Sequence, residues 1–250
     1  MSEVKHEVLL QAKGIYKNFE TSKKDQAVHA LTNVDLTLYR GETLALVGES
    51  GCGKSTLGRT LIRMLPATRG SVTFEGQNIT AMKDKKFAPL RRRMQMVFQD
   101  PYASLDPRMK VRDIIAEPLE TYHVCKTKAE TTHRVLELMQ AVGVPAEFLN
   151  RYPHQFSGGQ RQRIGIARAL IVEPEFIIAD EPISALDMSI RAQVLNLLRH
   201  LQKERGITYL FIAHDLSVMR YISDRIAVIH KGDIVELADA EELSLIHISE

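Results

Sequence analysis

One stretch organises this chain: Gly48-Glu49-Ser50-Gly51-Cys52-Gly53-Lys54-Ser55-Thr56. An apolar run at residues 43–47 precedes it, and a segment with helical periodicity at residues 57–63 follows it. The order of strand, glycine loop and helix predicts a phosphate-binding loop, because this is the context in which such loops occur. The alternative is a glycine-rich turn that matches the pattern by chance, and it leaves the agreement of both flanks unexplained.

The residue types in this loop suit a bound nucleotide. Gly48, Gly51 and Gly53 let the backbone curl so that successive N–H groups point at one anion, and the helix that begins near Lys54 adds its positive end. Lys54 can reach the β- and γ-phosphates, while the Ser55 hydroxyl can ligate the Mg²⁺ that accompanies a nucleoside triphosphate. We therefore predict that the protein binds a nucleotide.

The overall composition limits the classes of function. The 250 residues are enough for one large α/β domain, or for a core with an inserted subdomain. A content of 44% hydrophobic and 26% charged residues is typical of an ordinary soluble globular protein, and a formal net charge of +2 does not favour nucleic acid as the main partner. Apolar runs such as residues 209–213 are far shorter than the roughly 20 residues of a membrane helix, and residues 1–7 do not resemble a signal peptide. The two cysteines, Cys52 and Cys125, predict no disulfide framework and a reducing compartment such as the cytoplasm.

The early part of the chain predicts strands of an antiparallel subdomain. Residues 8–19 and 34–38 have strand patterns, separated by a polar loop at residues 20–26, and another short strand follows at residues 69–76. A nucleotide base needs an apolar surface on which to stack. Tyr16 and Phe19 are both candidates for that surface, and both could equally be packing residues of the strand.

Polar side chains follow two apolar strands farther along. Residues 94–98 end at Gln99, and residues 176–179 end at Asp180 and Glu181. Ligands of open α/β sheets bind at the carboxyl ends of strands, so these side chains are candidates for the reaction site. We expect Asp180 to complete the Mg²⁺ shell and Glu181 to orient and polarise water in line with the γ-phosphate.

A second anion-binding pattern occurs at Ser157-Gly158-Gly159-Gln160. Ser157 is a good helix N-cap, and the two glycines leave the first N–H groups of the helix unobstructed. A second such site is redundant within one chain, but it is useful if it faces the γ-phosphate bound by another copy. An ordinary capped helix is the alternative. His214, at the end of strand 208–213, can donate to a γ-phosphate oxygen or be only a satisfied polar residue.

Four further segments have recognisable patterns. The basic run at residues 83–93 predicts a solvated helix face rather than a nucleic-acid patch. Residues 111–143 are mostly helical with no intervening strand, which predicts an inserted helical subdomain. A turn at residues 184–187 leads into a helix, and residues 225–237 have the pattern of a terminal hairpin.

In this order the motifs resemble the full motif set of the ABC ATPase family, over about residues 8–243. The resemblance implies an α/β fold in which a RecA-like P-loop NTPase core carries an antiparallel β-subdomain and an inserted helical subdomain. It implies one domain over residues 1–243, with residues 1–99 and 161–243 forming the core plus β-subdomain and residues 100–160 the helical subdomain. ATP would lie at a head-to-tail dimer interface.

The resemblance also assigns roles to residues. Phe19 corresponds to the adenine-stacking aromatic, Glu181 to the catalytic base, His214 to the γ-phosphate switch and Asp187 to a contact across the dimer. Gln99 corresponds to the residue that senses the γ-phosphate, joins Ser55 and Asp180 around Mg²⁺, and touches the membrane partner. The residues expected to contact ATP itself are Phe19, Gly48, Glu49, Ser50, Gly51, Cys52, Gly53, Lys54, Ser55, Thr56 and, from the opposite subunit, Ser157, Gly158, Gly159, Gln160 and Asp187.

A finer resemblance points to a transport function. Residues 99–108 and 151–156 are similar to the oligopeptide/dipeptide importer branch, which also serves nickel and glutathione. This implies transmembrane permease subunits, a second ATPase subunit in a homodimer or heterodimer, an extracytoplasmic solute-binding protein, and a place on the cytoplasmic face of the inner (plasma) membrane.

Two alternative functions and one departure from the branch accompany this expectation. A soluble ABC ATPase that acts on ribosomes or DNA is one alternative, and a regulatory module without turnover is the other. Residues 244–250 resemble translated adapter sequence, in place of the proline-rich tail usual in this branch. We therefore expect the native C-terminal tail to be missing.

Overall fold

A computed structural model describes residues 7–20, 27–184 and 186–242. Residues 21–26 of the predicted polar loop 20–26 and the adapter-like segment 244–250 therefore lie outside the described residues, while Glu20 ends the first strand. Within those ranges the strands are β1 (Val8–Glu20), β2 (Ala27–Tyr39), β3 (Thr43–Val47), β4 (Arg69–Phe74), β5 (Gln77–Asn78), β6 (Met94–Val97), β7 (Phe176–Asp180), β8 (Thr208–Ile212), β9 (Arg225–His230) and β10 (Asp233–Asp239). The α-helices are α1 (Lys54–Leu61), α2 (Asp84–Arg93), α3 (Val111–Thr121), α4 (Lys128–Ala141), α5 (Gly158–Leu170), α6 (Met188–Arg205) and α7 (Leu216–Ile222).

The chain divides into two compact units, and the first comprises residues 1–88 and 206–250. Its antiparallel strands have the order β2-β1-β4-β5, which confirms the strands predicted near the start of the chain. In the same unit β3 runs parallel to both β8 and β9, and β10 pairs antiparallel with β9 as the predicted terminal hairpin. All residues of β3 and β8 are buried, as expected of parallel strands that are covered on both faces.

The register of β3 and β8 determines where the phosphate loop and His214 lie. Leu46 of β3 is paired with Ile212 of β8. Gly48 and His214 each follow that pair by two residues, so both lie beyond the carboxyl ends of neighbouring parallel strands. These ends form the edge at which ligands of such sheets bind.

The second unit comprises residues 89–205 and repeats this arrangement with different residues. Strands β6 and β7 are parallel, and Val97 is paired with Ala179. Gln99 and Glu181 each follow that pair by two residues, so they share one edge. Between residues 100 and 160 the chain forms α3, α4, the first turn of α5 and two short 3-10 helices, with no strand among these described residues. The subdomain boundaries drawn at residues 99/100 and 160/161 stay a prediction.

No helix in the described part of the chain has both the length and the apolar character needed to cross a bilayer.

Candidate functional site

The phosphate loop joins β3 to α1, and close backbone contacts determine its path. A side chain at Gly48 would collide with the carbonyl oxygen of Ile229, and one at Gly53 would collide with the carbonyl oxygen of Ala30. Gly53 also has a φ of 109°, which L side chains rarely adopt. These two positions therefore require glycine for two independent reasons, crowding at both and backbone conformation at Gly53.

Lys54 lies within the loop rather than outside it. Its side chain is only 6% exposed, and its Nζ donates to the carbonyl oxygens of Gly48 and Glu49, each at 2.7 Å. Cys52 Sγ lies 3.8 Å from the same ammonium. Gly53 caps α1 without a side-chain hydrogen bond, and the first N–H groups of a helix have no partner within the helix. The loop thus holds a buried cation beside a helix N-terminus, an arrangement that attracts phosphate.

An apolar pair of side chains lies at the ends of β1 and β2. Phe19 and Val28 are direct cross-strand partners, and they are 37% and 56% exposed. Lys17 Nζ lies 4.9 Å from the centre of the Phe19 ring. Tyr16 pairs instead with Arg69 of β4 and is only partly exposed. Val28 was missed by the sequence reasoning, although the pairing of two strands across a short loop is a signal that could have found it.

In the second unit Glu181 follows β7 in an uncommon backbone conformation. Its φ is 45°, in the left-handed region that costs a non-glycine residue free energy and that often marks a functional site. The Nε2 of Gln99 donates to Glu181 Oε2 at 2.7 Å. Ser184 supports the same turn, because its N–H and its hydroxyl both donate to the Glu181 carbonyl oxygen, at 3.2 Å and 3.0 Å. Asp180, the last residue of β7, is 1% exposed.

The predicted N-cap at Ser157 is present. Ser157 Oγ accepts from the Gln160 N–H at 3.3 Å, and Gln160 Oε1 accepts from the Ser157 N–H at 3.0 Å, so the two side chains form a capping box. Helix α5 begins at Gly158 directly after this cap. The side chain of Gln160 is therefore engaged within its own turn, while Ser157 remains exposed.

Asp187 has a local role of the same kind at the start of α6. Its Oδ1 accepts from the Ile190 N–H at 3.0 Å and from the Ser189 hydroxyl at 3.2 Å. This is the N-cap of α6. Ala185, within the predicted turn 184–187, lies outside the described residues.

The loop that follows Gln99 presents an aromatic ring to solvent. Tyr102 is 63% exposed, and the guanidinium carbon of Arg161 lies 3.7 Å from the centre of its ring. Arg161 itself is buried and donates through Nε to the carbonyl oxygen of Pro153 at 2.7 Å. Farther along the loop, Arg108 donates three hydrogen bonds to Asp106, two from its guanidinium and one from its backbone N–H, and lowers the pKa of that carboxyl to about 2. Arg161 thus links this loop to the turn before α5, a contact that the sequence did not reveal.

Taken residue by residue, the predicted site forms two groups. In the first unit the phosphate loop and His214 share one edge of the parallel strands. Phe19 lies near the end of β1, in the antiparallel sheet of the same unit. In the second unit Gln99 and Glu181 are hydrogen bonded, Asp180 is adjacent, and Ser157 and Asp187 cap two helices. The roles assigned to these residues stay predictions.

Comparison with known proteins gives consistent similarities. The family description "ABC transporter" matches residues 31–184. The chain is 60% identical to the oligopeptide transport ATP-binding protein OppF of Bacillus subtilis (strain 168), over 95% of this chain and 77% of that protein. It is 52% identical to the dipeptide transport ATP-binding protein DppF of Lactococcus lactis subsp. cremoris (strain MG1363), over 94% of this chain and 76% of that protein.

Solved structures are similar over nearly the whole chain. The dimeric structure of MJ0796, a bacterial ABC transporter cassette, has a TM-score of 0.85 and 29% identity, and covers 93% of this chain and 99% of that one. A post-hydrolysis state of the same cassette, bound to ADP and Pi, is equally similar. This similarity confirms the α/β P-loop fold class predicted from the sequence.

Proposed function

The chain belongs to the ABC transporter family, and from that premise we propose that it is the ATP-hydrolysing subunit of a peptide importer. One observation carries the hydrolytic part of this proposal: the 2.7 Å hydrogen bond between Gln99 and the strained Glu181 at the end of β7. In such a pair, the carboxylate can polarise water, and the amide side chain can respond to the nucleotide.

The phosphate loop binds the triphosphate of ATP in this proposal. Lys54 exchanges its two loop carbonyl contacts for phosphate oxygens, and the N–H groups at the start of α1 supply further donors. His214 donates to the γ-phosphate from the same edge. The adenine stacks on Phe19, with Val28 extending the apolar surface beside it.

The donor chemistry of the chain fits Mg²⁺, which prefers oxygen ligands from hydroxyls, carboxylates and phosphates. Ser55 supplies a hydroxyl at the start of α1, Asp180 supplies a carboxylate with almost no exposure, and Gln99 supplies an amide oxygen. When bound, the ion neutralises charge that develops on the phosphates during transfer. Asp180 is suited to this role because Mg²⁺ prefers carboxylate oxygens and Asp180 ends β7 at the edge where ligands of such sheets bind.

Glu181 acts as the base on the attacking water. Its φ lies in the left-handed region, Gln99 donates to its carboxylate and Ser184 donates to its carbonyl oxygen, so its side chain and its backbone are both held. A carboxylate held in place contributes on the order of 10²–10⁴-fold through general base catalysis.

The proposed transporter also contains partner subunits. The Ser157–Gln160 turn and Asp187 face ATP bound by a second ATPase subunit, which is either another copy or a related chain. The dimeric state of MJ0796 supports this arrangement. Exposed Tyr102 and its loop contact transmembrane permease subunits, so we place the protein at the cytoplasmic face of the inner (plasma) membrane. An extracytoplasmic solute-binding protein delivers the cargo, and no nucleic acid takes part.

Oligopeptides or dipeptides are the proposed cargo. Relatives that are 52–60% identical to this chain over the matched residues carry the names of oligopeptide and dipeptide transport ATP-binding proteins. That level of identity, over at least 94% of the chain, favours an importer over a soluble ABC ATPase that acts on ribosomes or DNA.

The decisive experiment is the solution mass of the Glu181→Gln variant with and without Mg-ATP. Removing the base while keeping the phosphate contacts should block hydrolysis and leave closure intact, so we expect a shift from monomer to dimer only with ATP. A mass that stays monomeric while ATP binds contradicts a homodimer. The same measurement with the second ATPase chain from a peptide importer then tests the heterodimer.

A further inference from the structure

Helices α5 and α6 pack along a seam that includes the first turn of each helix. A Cβ at Gly159 would collide with Cγ2 of Ile190 and lie 3.5 Å from Ile190 Cβ. One turn farther on, Arg163 Nη2 donates to Gln193 Oε1 at 2.8 Å. Residues three or four apart lie on one face of a helix, so these two contacts are successive steps along the same seam. The missing side chain at Gly159 is what lets Ile190 pack there.

The same Ile190 is attached to the cap of its own helix. Its backbone N–H donates a hydrogen bond to Asp187 Oδ1 at 3.0 Å. Its side chain therefore packs on the turn capped by Ser157, while its backbone is held by Asp187. One residue contacts both of the turns that are expected to face ATP on the partner.

The next residue ties this turn to Glu181. Arg191 donates through Nε to the Leu186 carbonyl oxygen at 2.8 Å and through Nη2 to the Ser184 carbonyl oxygen at 3.4 Å. Ser184 in turn donates to the Glu181 carbonyl oxygen. The first turn of α6 is thus connected to the α5 turn on one side and to the Glu181 turn on the other.

We infer that Ile190 is a positioning residue that locks the Ser157–Gln160 turn and the Asp187–Ile190 turn to each other, so that they meet the partner's ATP as one block. Close-packed side chains transmit displacement instead of absorbing it, because interiors have little free volume. The inference deepens the proposed function, on which it rests for the identity of the ligand that the block meets.

The first test is a rescue by a second substitution. Gly159→Ala should lower kcat by about 10- to 100-fold, because a displacement of about 1 Å at a reacting group can have an effect of that size. The affinity of the isolated chain for ATP should not change, since Lys54 and its loop are untouched and Gly159 is expected to meet only ATP bound by the partner. The matched control is Gly165→Ala in the same helix, where a Cβ meets nothing within 4 Å, and its kcat should stay within about twofold of the unchanged protein.

Ile190→Ala removes the colliding Cγ2 atom but keeps the Cβ, which lies 3.5 Å from a Cβ at position 159, so the double variant retains a contact between the two turns. The double variant Gly159→Ala/Ile190→Ala should therefore recover at least about tenfold in kcat over Gly159→Ala alone, a coupling expected only of side chains in contact. A double variant as slow as Gly159→Ala overturns the inference, because the loss then comes from the new methyl group meeting the nucleotide. Thermal melts of every variant check that the compared samples are folded.

A second readout does not depend on hydrolysis. Ile190→Ala should raise amide hydrogen exchange in both segments, 157–161 and 187–191, because each turn loses the contact that holds it. A rise confined to residues 187–191 overturns the inference. Should the unaltered chain fail to hydrolyse ATP, the proposed function fails, and the exchange experiment still decides whether Ile190 locks the two turns.

Discussion

The phosphate loop and the Glu181 turn both follow a buried parallel strand by the same number of residues, yet they are built in opposite ways. Backbone contacts shape the loop: Gly48 and Gly53 lie against carbonyl oxygens, and Lys54 donates to carbonyl oxygens of the loop itself. Side chains shape the other turn, since Gln99 and Ser184 hold Glu181 in a left-handed conformation.

The difference shows how the two proposed tasks, phosphate binding and ATP hydrolysis, can vary independently. An anion is held by main-chain N–H groups, whose positions any added side chain at Gly53 would disturb. Glu181, the proposed base, instead accepts from the Gln99 side chain and, through its carbonyl oxygen, from the hydroxyl and N–H of Ser184. Binding should therefore be lost by steric changes in the first unit, and turnover by chemical changes in the second.

The largest effect should come from Glu181→Gln. We expect kcat to fall about 10³-fold, because the base is lost, while the dissociation constant for ATP stays within about twofold. Single-turnover hydrolysis and equilibrium binding of a fluorescent ATP analogue measure the two quantities. Glu147→Gln, an exposed change in the same unit, is the control and should alter neither. Loss of ATP binding in Glu181→Gln would contradict the assignment of binding to the first unit and of turnover to the second.

The reverse pattern is expected of Gly53→Ala. The new Cβ collides with the Ala30 carbonyl and needs a φ that alanine avoids, so the affinity for ATP should fall about 100-fold. Gly41→Ala provides the control, since its φ of 77° is also positive but nothing lies within 4 Å. It should cost about 1–2 kcal/mol in the free energy of unfolding and leave ATP affinity intact. Isothermal titration and urea unfolding separate the two outcomes.

A smaller effect is expected at the apolar pair of the first unit. Phe19→Ala should weaken ATP binding by about tenfold and Val28→Ala by about threefold, because stacking surface is lost without touching the phosphate contacts. Inorganic triphosphate has no adenine to stack on this pair. Its inhibition constant against ATP hydrolysis should therefore be the same for both variants and the unchanged protein. An equal loss of triphosphate binding would show that the pair shapes the loop instead.

The smallest effect is expected at Glu42, which directly precedes the strand that leads into the phosphate loop. Burial raises the pKa of Glu42, which accepts from Arg225 at 3.1 Å just before β3. A raised carboxyl pKa gives stability that is present below the unfolded pKa and lost as the pH rises through the folded pKa. Glu42→Gln should therefore gain stability relative to the unchanged protein as the pH rises above about 4.3, the ordinary pKa of a glutamate, and the Tm as a function of pH measures this gain. Its ATP affinity should not change. A stability difference that is independent of pH would contradict this assignment.

Local pattern predicted much of this molecule because the decisive elements are short and strongly marked. The phosphate loop has an apolar strand before it and a helix after it, and both formed at residues 43–47 and 54–61. Ser157 was expected to cap a helix, and it does. Strand β2 is longer than its predicted part, residues 34–38, because its first half pairs with β1 across a loop that local alternation does not reveal.

The sequence by itself identified the residues to which we assign the chemistry: the glycines and lysine of the loop, the two carboxylates at the carboxyl end of β7 and the cap at Ser157. These are local properties, since backbone freedom, strand alternation and capping depend on neighbours along the chain. Tertiary structure alone decided that Gln99 lies against Glu181, that Val28 lies beside Phe19 and that Gly159 accommodates Ile190. Those contacts join residues that are distant in sequence, because strand register and helix packing are set by how whole faces fit together.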